Sequence, residues 1–133
     1  MTEKDLCNVN AKISSVTLSM ADHGCLTFSL VMVGEGWGQV FGGWCLGHGY
    51  LGAEVFEGSA FGLECLMRIM DAVGVERWED LEGKYCRIRR DHGGIIVAIG
   101  NIITDHWFDV REFFENADKK DKAVEVDKND KVE

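Results

Sequence analysis

The chain contains no proline and 16 glycines, and ten of those glycines fall between Gly34 and Gly62. Average usage of about 5% would supply six or seven prolines, so sharp reversals here must come from Gly, Asp and Asn. Trp37, Val40, Phe41 and Trp44 are interleaved with the glycines. That mixture reads as a third strand over about 37–45, bent or bulged at its glycines, followed by a long irregular loop over 46–58. Loops of that length in a compact domain often carry function.

On the N-terminal side of this segment the pattern has period two. Val16, Leu18 and Met20 alternate with Ser15, Thr17 and Ser19, and Leu26, Phe28, Leu30 and Met32 alternate with Thr27 and Ser29. Each run reads as a strand with one wet face, and Ala21-Asp22-His23-Gly24 between them is a hairpin signal. On the C-terminal side one helix is expected over about 59–73. Ser59 caps it, Leu63, Leu66, Ile69, Met70 and Val73 form its inward stripe, Glu64 and Arg68 make an outward pair, and Gly74 stands at the stop. Residues 76–82 read as a short helical turn with Trp78 and Leu81 packed down. A second hairpin joins Tyr85–Arg89 to Ile95–Ile99 through Asp91-His92-Gly93-Gly94. Its second arm is apolar on both faces, as an internal strand requires. Residues 102–114 carry Trp107, Phe108, Phe113 and Phe114 and end in a short helix.

These elements predict an α+β domain: a mostly antiparallel sheet of about five strands with one main helix packed on a face. A length of 133 residues supports a single domain. Its expected limits are a frayed segment 1–10, the domain over 11–116 and a charged, disordered tail over 117–133, which holds five Lys and six acids. The whole chain has a net charge of -9. Removing the tail leaves -8 on residues 1–116, so the acidity belongs to the domain. Such a body repels nucleic acid and anionic lipid. No apolar run reaches the ~18–20 residues of a membrane span, and no charged-then-apolar leader opens the chain.

Chemistry-bearing constellations are few. Five cysteines (Cys7, Cys25, Cys45, Cys65 and Cys86) form no C-x-x-C, and an odd scattered set fits reduced thiols in a cytosol. Asp22-His23, Asp91-His92 and Asp105-His106 pair a carboxylate with an imidazole. The first two sit in Asp-His-Gly turns, where Asp bonds its own backbone, and only a shared end of the sheet would make them a site. Without H-E-x-x-H or paired cysteines, no metal and no cofactor are expected. Gly47-His48-Gly49-Tyr50-Leu51-Gly52 matches G-x-G-x-x-G but lacks the βαβ context of a dinucleotide site. Cys45, beside Trp44 and His48, is the least implausible nucleophile. No catalytic residue is expected. Arg87, Arg89 and Arg90 form the basic cluster, read as solvated or paired with the acidic body.

What remains is an acidic and aromatic surface. Glu35, Trp37, Trp44, Tyr50, Glu54, Phe56 and Glu57 are the candidate partner-binding residues, since aromatics bring large contact area at low entropy cost. For Trp37 and Trp44 the competing assignment is the core.

Residues 15–28 (Ser-Val-Thr-Leu-Ser-Met-Ala-Asp-His-Gly-Cys-Leu-Thr-Phe), 34–43 (Gly-Glu-Gly-Trp-Gly-Gln-Val-Phe-Gly-Gly), 74–85 (Gly-Val-Glu-Arg-Trp-Glu-Asp-Leu-Glu-Gly-Lys-Tyr) and 99–108 (Ile-Gly-Asn-Ile-Ile-Thr-Asp-His-Trp-Phe) together resemble small accessory proteins encoded by bacteriophages and prophages. The resemblance runs from about residue 11 to 115. It implies a protein made in the bacterial cytoplasm and carries no catalytic residues. By analogy with small acidic phage proteins it points to an inhibitor of a host defence complex, anti-CRISPR proteins among them. The leading expectation is therefore a binding protein for a host protein with a basic surface, with no direct contact to nucleic acid or membrane. Two other classes compete. One is a small metal- or ligand-binding hydrolase using His23, His48 or His92 with the glycine-rich loop. The other is a structural protein that forms a homodimer or larger oligomer through Trp107, Phe108, Phe113 and Phe114.

Overall fold

A computed structural model describes residues 8–117. Cys7 and the charged segment after Ala117 lie outside the described residues. Eight strands and two helices follow one another: β1 (Asn8–Asp22), β2 (Cys25–Gly34), β3 (Trp37–Gly42), β4 (Gly47–His48), β5 (Glu57–Gly58), α1 (Ala60–Val73), a 3-10 turn (Trp78–Leu81), β6 (Tyr85–Arg90), β7 (Ile96–Gly100), β8 (Trp107–Asp109) and α2 (110–117). The sheet order is β5-β4-β2-β1-β6-β7-β8, with β3 also on β2, and every pairing is antiparallel. The mixed helix-and-sheet class agrees with expectation. The strand count does not: the described residues form eight strands rather than about five, while the short helix expected at the end of 102–114 is present over 110–117.

Two of the three extra strands, β4 and β5, have a local cause. The β2 strand is ten residues long, so β3 covers one half of its edge (Ser29–Gly34) and β4 the other (Cys25 and Leu26). The expected loop over 46–58 is thus pinned at both ends by a small ladder, Gly47 opposite Gly58 and His48 opposite Glu57. The first strand begins at Asn8, opposite Arg89, so residues 8–10 belong to the sheet and not to a frayed end. A bulge between Ile13 and Ser15 shifts its register. Ala11 and Ile13 before the bulge point inward, whereas beyond it Val16 and Met20 are only half-buried and Leu18, expected inside, is 44% exposed.

The sheet curls around its core. Gln39 of β3 donates to the Gly94 carbonyl at 2.7 Å and accepts from Arg90 Nε at 2.9 Å, which joins β3 to the β6–β7 end across the fold. Inside lie Phe28, Leu30 and Met32 of β2, Ile13, Phe41, Leu81, Cys86 and Ile88, with Ile96 and Ile99 of the buried strand β7. Burial pushes the Cys86 and Cys65 thiols up to about 12, so both remain protonated packing residues.

The α1 helix closes this core with a face rotated from the expected one: Ile69 and Val73 are buried as expected and Leu66 and Met70 pack half-buried against the core, but Leu63 does not. Its buried residues are Gly62, Cys65, Ile69, Ala72 and Val73, whereas Leu63 is 64% exposed. The reason is close approach: a Cβ on Gly62 would lie 2.5 Å from the Leu46 carbonyl oxygen. Small residues let the helix backbone settle onto the chain at 46, and the larger Leu63 turns outward. Both expected caps are in place. Ser59 Oγ accepts the Gly62 N–H at 3.2 Å, and the Gly74 N–H donates to the Met70 carbonyl at 2.8 Å. Ser59→Ala should lower stability by about 1 kcal/mol, read as a smaller urea midpoint at unchanged m.

At the other edge Asp109 caps α2, its Oδ1 accepting the Glu112 N–H at 2.9 Å. The rings proposed for oligomerisation are engaged within the chain. Phe108 is buried, Phe113 packs edge-on to Phe108 at 5.3 Å, and Phe114 stacks on Trp44 at 6.3 Å. Trp107 stands opposite Gly100, with Arg87 at 4.8 Å and Arg89 at 4.4 Å from its ring.

Candidate functional site

Two neighbouring features around β4 offer chemistry. The first is an apolar groove of about 200 Å³ lined by Met20, Leu26, Leu46, Phe56, Leu63 and Leu66, with Gly47, His48 and Glu57 at its rim. The loop over 49–56 stands beside it. Tyr50 lies over Gly24 and donates its hydroxyl to the His23 carbonyl at 3.3 Å; Phe56 lies over Gly49. Both rings nonetheless remain largely in solvent (66% and 58% exposed), and Leu51 is 93% exposed. Val55, Leu63 and Met67 are exposed as well. Leu63 and Met67, one helical turn apart, extend the apolar surface along α1. Full burial of one such side chain is worth about 1.5–3 kcal/mol. Exposed apolar surface of this kind is uncommon on a monomer.

The second feature is a cluster of two thiols and an imidazole. Cys25 and His48 are directly opposite in the β2–β4 ladder. Cys45 reaches the same place from the connection before β4, its sulfur 3.5 Å from His48 Nε2 and 3.2 Å from the Gly47 carbonyl. The three ligand atoms lie within 4.8 Å of one another, and both thiols are half-buried with His48 exposed. A polar cleft borders them, lined by Cys45, His48, Glu57, Ser59, Phe61 and Phe114.

The candidate partner-binding residues are divided by the fold. Tyr50, Glu54, Phe56 and Glu57 share the loop beside the groove and are exposed. Glu35 and Trp37 sit at the other end of β2, where Trp37 faces Gly34 and carries Arg90 at 4.4 Å from its ring. Trp44 is part of an aromatic stack with Phe28 and Phe114. Leu51, Val55, Leu63, Met67 and Cys25 were not among the sequence candidates. Cys25 was hidden because only the β2–β4 register brings it opposite His48, though the Cys45-x-x-His48 spacing was in view.

The Asp-His turns do not converge. Asp22 ends β1 beside the β2 hairpin, whereas Asp91 follows the β6 residues that pair with the start of β1, so the two turns lie at opposite ends of the sheet. Asp91 does structural work. Its Oδ1 accepts the Gly93 and Ile95 N–H groups at 2.9 Å each and its Oδ2 meets Arg111 at 2.7 Å. The Ile95 amide first, and then Arg111, hold its carboxyl below the usual range. His106 Nε2 meets Asp71 Oδ2 at 2.7 Å. The G-x-G-x-x-G match begins in β4 and α1 starts only at Ala60, which is no dinucleotide turn. The arginine cluster is used internally. Arg87 donates to the Asn101 and Thr104 carbonyls, Arg89 to Asn8 Oδ1 and Arg90 to Gln39. Among the described residues no helix is long and apolar enough to cross a membrane.

The chain matches no protein-family model, no curated protein and no solved structure.

Proposed function

We propose that this is a non-enzymatic binding protein whose loop over 49–57, with the outer face of α1, docks on a basic surface of a partner protein. The observation that supports this is a lateral separation of charge. Residues 13–67 contain five acids (Asp22, Glu35, Glu54, Glu57 and Glu64) and no Lys or Arg. That stretch builds the β2–β4–β5 side of the sheet and presents the exposed apolar cluster with Glu54 and Glu57 beside it. Acids flanking an apolar centre suit an interface in which the centre supplies affinity and the charged rim supplies steering. With the resemblance to phage accessory proteins, the partner is a host protein in the bacterial cytoplasm. A nucleic-acid-binding surface of a defence complex has the required positive charge.

The test is capture from bacterial lysate at low and high salt, read by mass spectrometry, with two paired variants. Screening shortens from about 10 Å at 0.1 M to 3 Å at 1 M salt, so a partner steered by Glu54 and Glu57 should be recovered in smaller amount at high salt. Glu54→Lys with Glu57→Lys should reduce its recovery at least tenfold, and Leu51→Ser with Phe56→Ala should do the same through lost burial. His92→Ala, at the far end of the sheet, should leave recovery unchanged. A partner retained equally by both paired variants would exclude this surface.

A further inference from the structure

We propose that Cys25, Cys45 and His48 form a binding site for one thiophilic divalent cation, Zn2+, with its fourth coordination position open to the cleft between β4 and α2. The argument is one of ligand type, spacing and support. Two thiolates and an imidazole are the donor set that a borderline-soft d10 ion prefers over Mg2+ or Ca2+, which take oxygen. In a tetrahedral site with Zn–S of about 2.3 Å and Zn–N of about 2.0–2.1 Å, sulfur and nitrogen lie about 3.6 Å apart and two sulfurs about 3.8 Å apart. Cys45 Sγ and His48 Nε2 are 3.5 Å apart, and all three ligand atoms fall within 4.8 Å. Closing the set around an ion therefore needs only small side-chain rotations.

The backbone beneath the ligands is held on both sides. Gly43 N–H donates to the Phe28 carbonyl at 3.1 Å, Leu46 N–H to the Leu26 carbonyl at 2.7 Å and Gly49 N–H to the Gly24 carbonyl at 2.8 Å, so Cys45 to His48 are bracketed along β2. Cys25 and His48 are cross-strand neighbours, so their side chains share one face by register. The other two described cysteines differ in kind. Cys65 and Cys86 are sealed in the core, whereas Cys25 and Cys45 are half-buried. Three protein ligands leave one position on the ion, and the adjoining polar cleft, where Glu57 stands opposite His48 across β4 and β5, gives it access to water or a small anion. Binding releases both thiol protons to solvent, giving a neutral Zn(thiolate)2(imidazole) unit.

This proposal is independent of the partner-docking proposal and is tested without any partner. Untagged, full-length, reduced and metal-free protein is titrated with Zn2+ alone by calorimetry, and with Co2+ by absorption spectroscopy. The expected result is one equivalent of Zn2+ bound with release of up to two protons, and a thiolate-to-cobalt charge-transfer band with the strong visible bands of tetrahedral Co2+. Cys25→Ser and Cys45→Ser should each weaken binding at least 100-fold and remove the charge-transfer intensity or halve it. His48→Gln, whose side chain is exposed, should weaken binding at least tenfold, whereas His92→Ala should not change it. Failure of the wild-type protein to take up metal would overturn the proposal, as would uptake that both His48→Gln and Cys45→Ser leave unaltered. A Cys25–Cys45 disulfide in air-oxidised protein, together with no metal uptake by the reduced form, would assign the pair to thiol redox chemistry instead.

Discussion

Replacing Phe28 by Ala should cost about 3–5 kcal/mol of folding stability, the range for deleting a buried aromatic ring. Phe28 is fully buried at the middle of β2 and touches three other rings: Phe41 edge-on at 5.7 Å, Trp44 stacked at 6.1 Å and Trp78 edge-on at 6.4 Å. Truncation removes the transfer energy of the ring and leaves a void that three large, stiff neighbours cannot fill without leaving their rotamers. Against a total stability of about 5–15 kcal/mol for a single domain, the variant would have lost a large share of its margin. Urea unfolding followed by tryptophan fluorescence measures it, since Trp44 and Trp78 both lie against the deleted ring. The midpoint should fall sharply with m unchanged, and native emission should shift to the red. Leu51→Ala is the matching control, because that side chain is 93% exposed and its removal should change stability by no more than about 0.5 kcal/mol. A loss at Phe28 below about 1.5 kcal/mol would mean that the aromatic cluster is not the dry centre of the fold.

The same residue shows what the sequence disclosed. Period two over 26–32 assigned Phe28, Leu30 and Met32 to the inside, and the hairpins at 22–25 and 90–96 followed from their Asp-His-Gly turns. Those features are local: alternation and turn chemistry act over a few residues, so they can be read without knowing the partner strand. What escaped was set by register and close approach. The strands β4 and β5 have two residues each and exist only because β2 offers a free half-edge. The inward stripe of α1 was legible at Ile69 and Val73 but not at Leu63, because apolar residues nearly encircle the helix and its rotation fell to Gly62, where the absence of a side chain lets the backbone of Leu46 come close.

The candidate site was legible to the same degree. Tyr50, Phe56, Glu54 and Glu57 were accessible to sequence reasoning because exposed aromatics and acids in a glycine-rich segment are a local signal. Trp37, Trp44 and Trp107 were not separable from them, although the fold treats them differently. Trp37 and Trp107 each stand directly across from a glycine in the neighbouring strand, Gly34 and Gly100, and each carries an arginine on its ring. The aromatic ring covers backbone that glycine leaves bare, and the guanidinium covers the ring. These stacks, with the hydrogen bonds of Arg87, Arg89 and Arg90, hold the arginine cluster in place away from the 49–57 loop. The charge separation itself is set by the sequence, since residues 13–67 carry five acids and no Lys or Arg.

The connection that carries Cys45 and His48 depends on one close approach, and Gly42→Ala should break it. Gly42 has a φ of 143°, in the region that favours glycine, and a Cβ there would collide with the Phe28 carbonyl oxygen on the paired strand. Gly43 is the natural comparison. Its φ is 97° and a Cβ on it would meet nothing within 4 Å, yet its N–H donates to that same Phe28 carbonyl at 3.1 Å. Alanine at 43 therefore incurs only the left-handed backbone cost of about 1–2 kcal/mol. Alanine at 42 incurs a similar cost and must also displace the backbone of β2 where Phe28 enters the core, adding about 1–3 kcal/mol. The difference between the two urea midpoints, converted at common m, isolates the contact from the conformational strain. Gly42→Ala should be the less stable by at least about 1 kcal/mol. If the two variants unfold together, the 42–46 segment does not lie as close to β2 as described, and the placement of Cys45 against Cys25 and His48 falls with it.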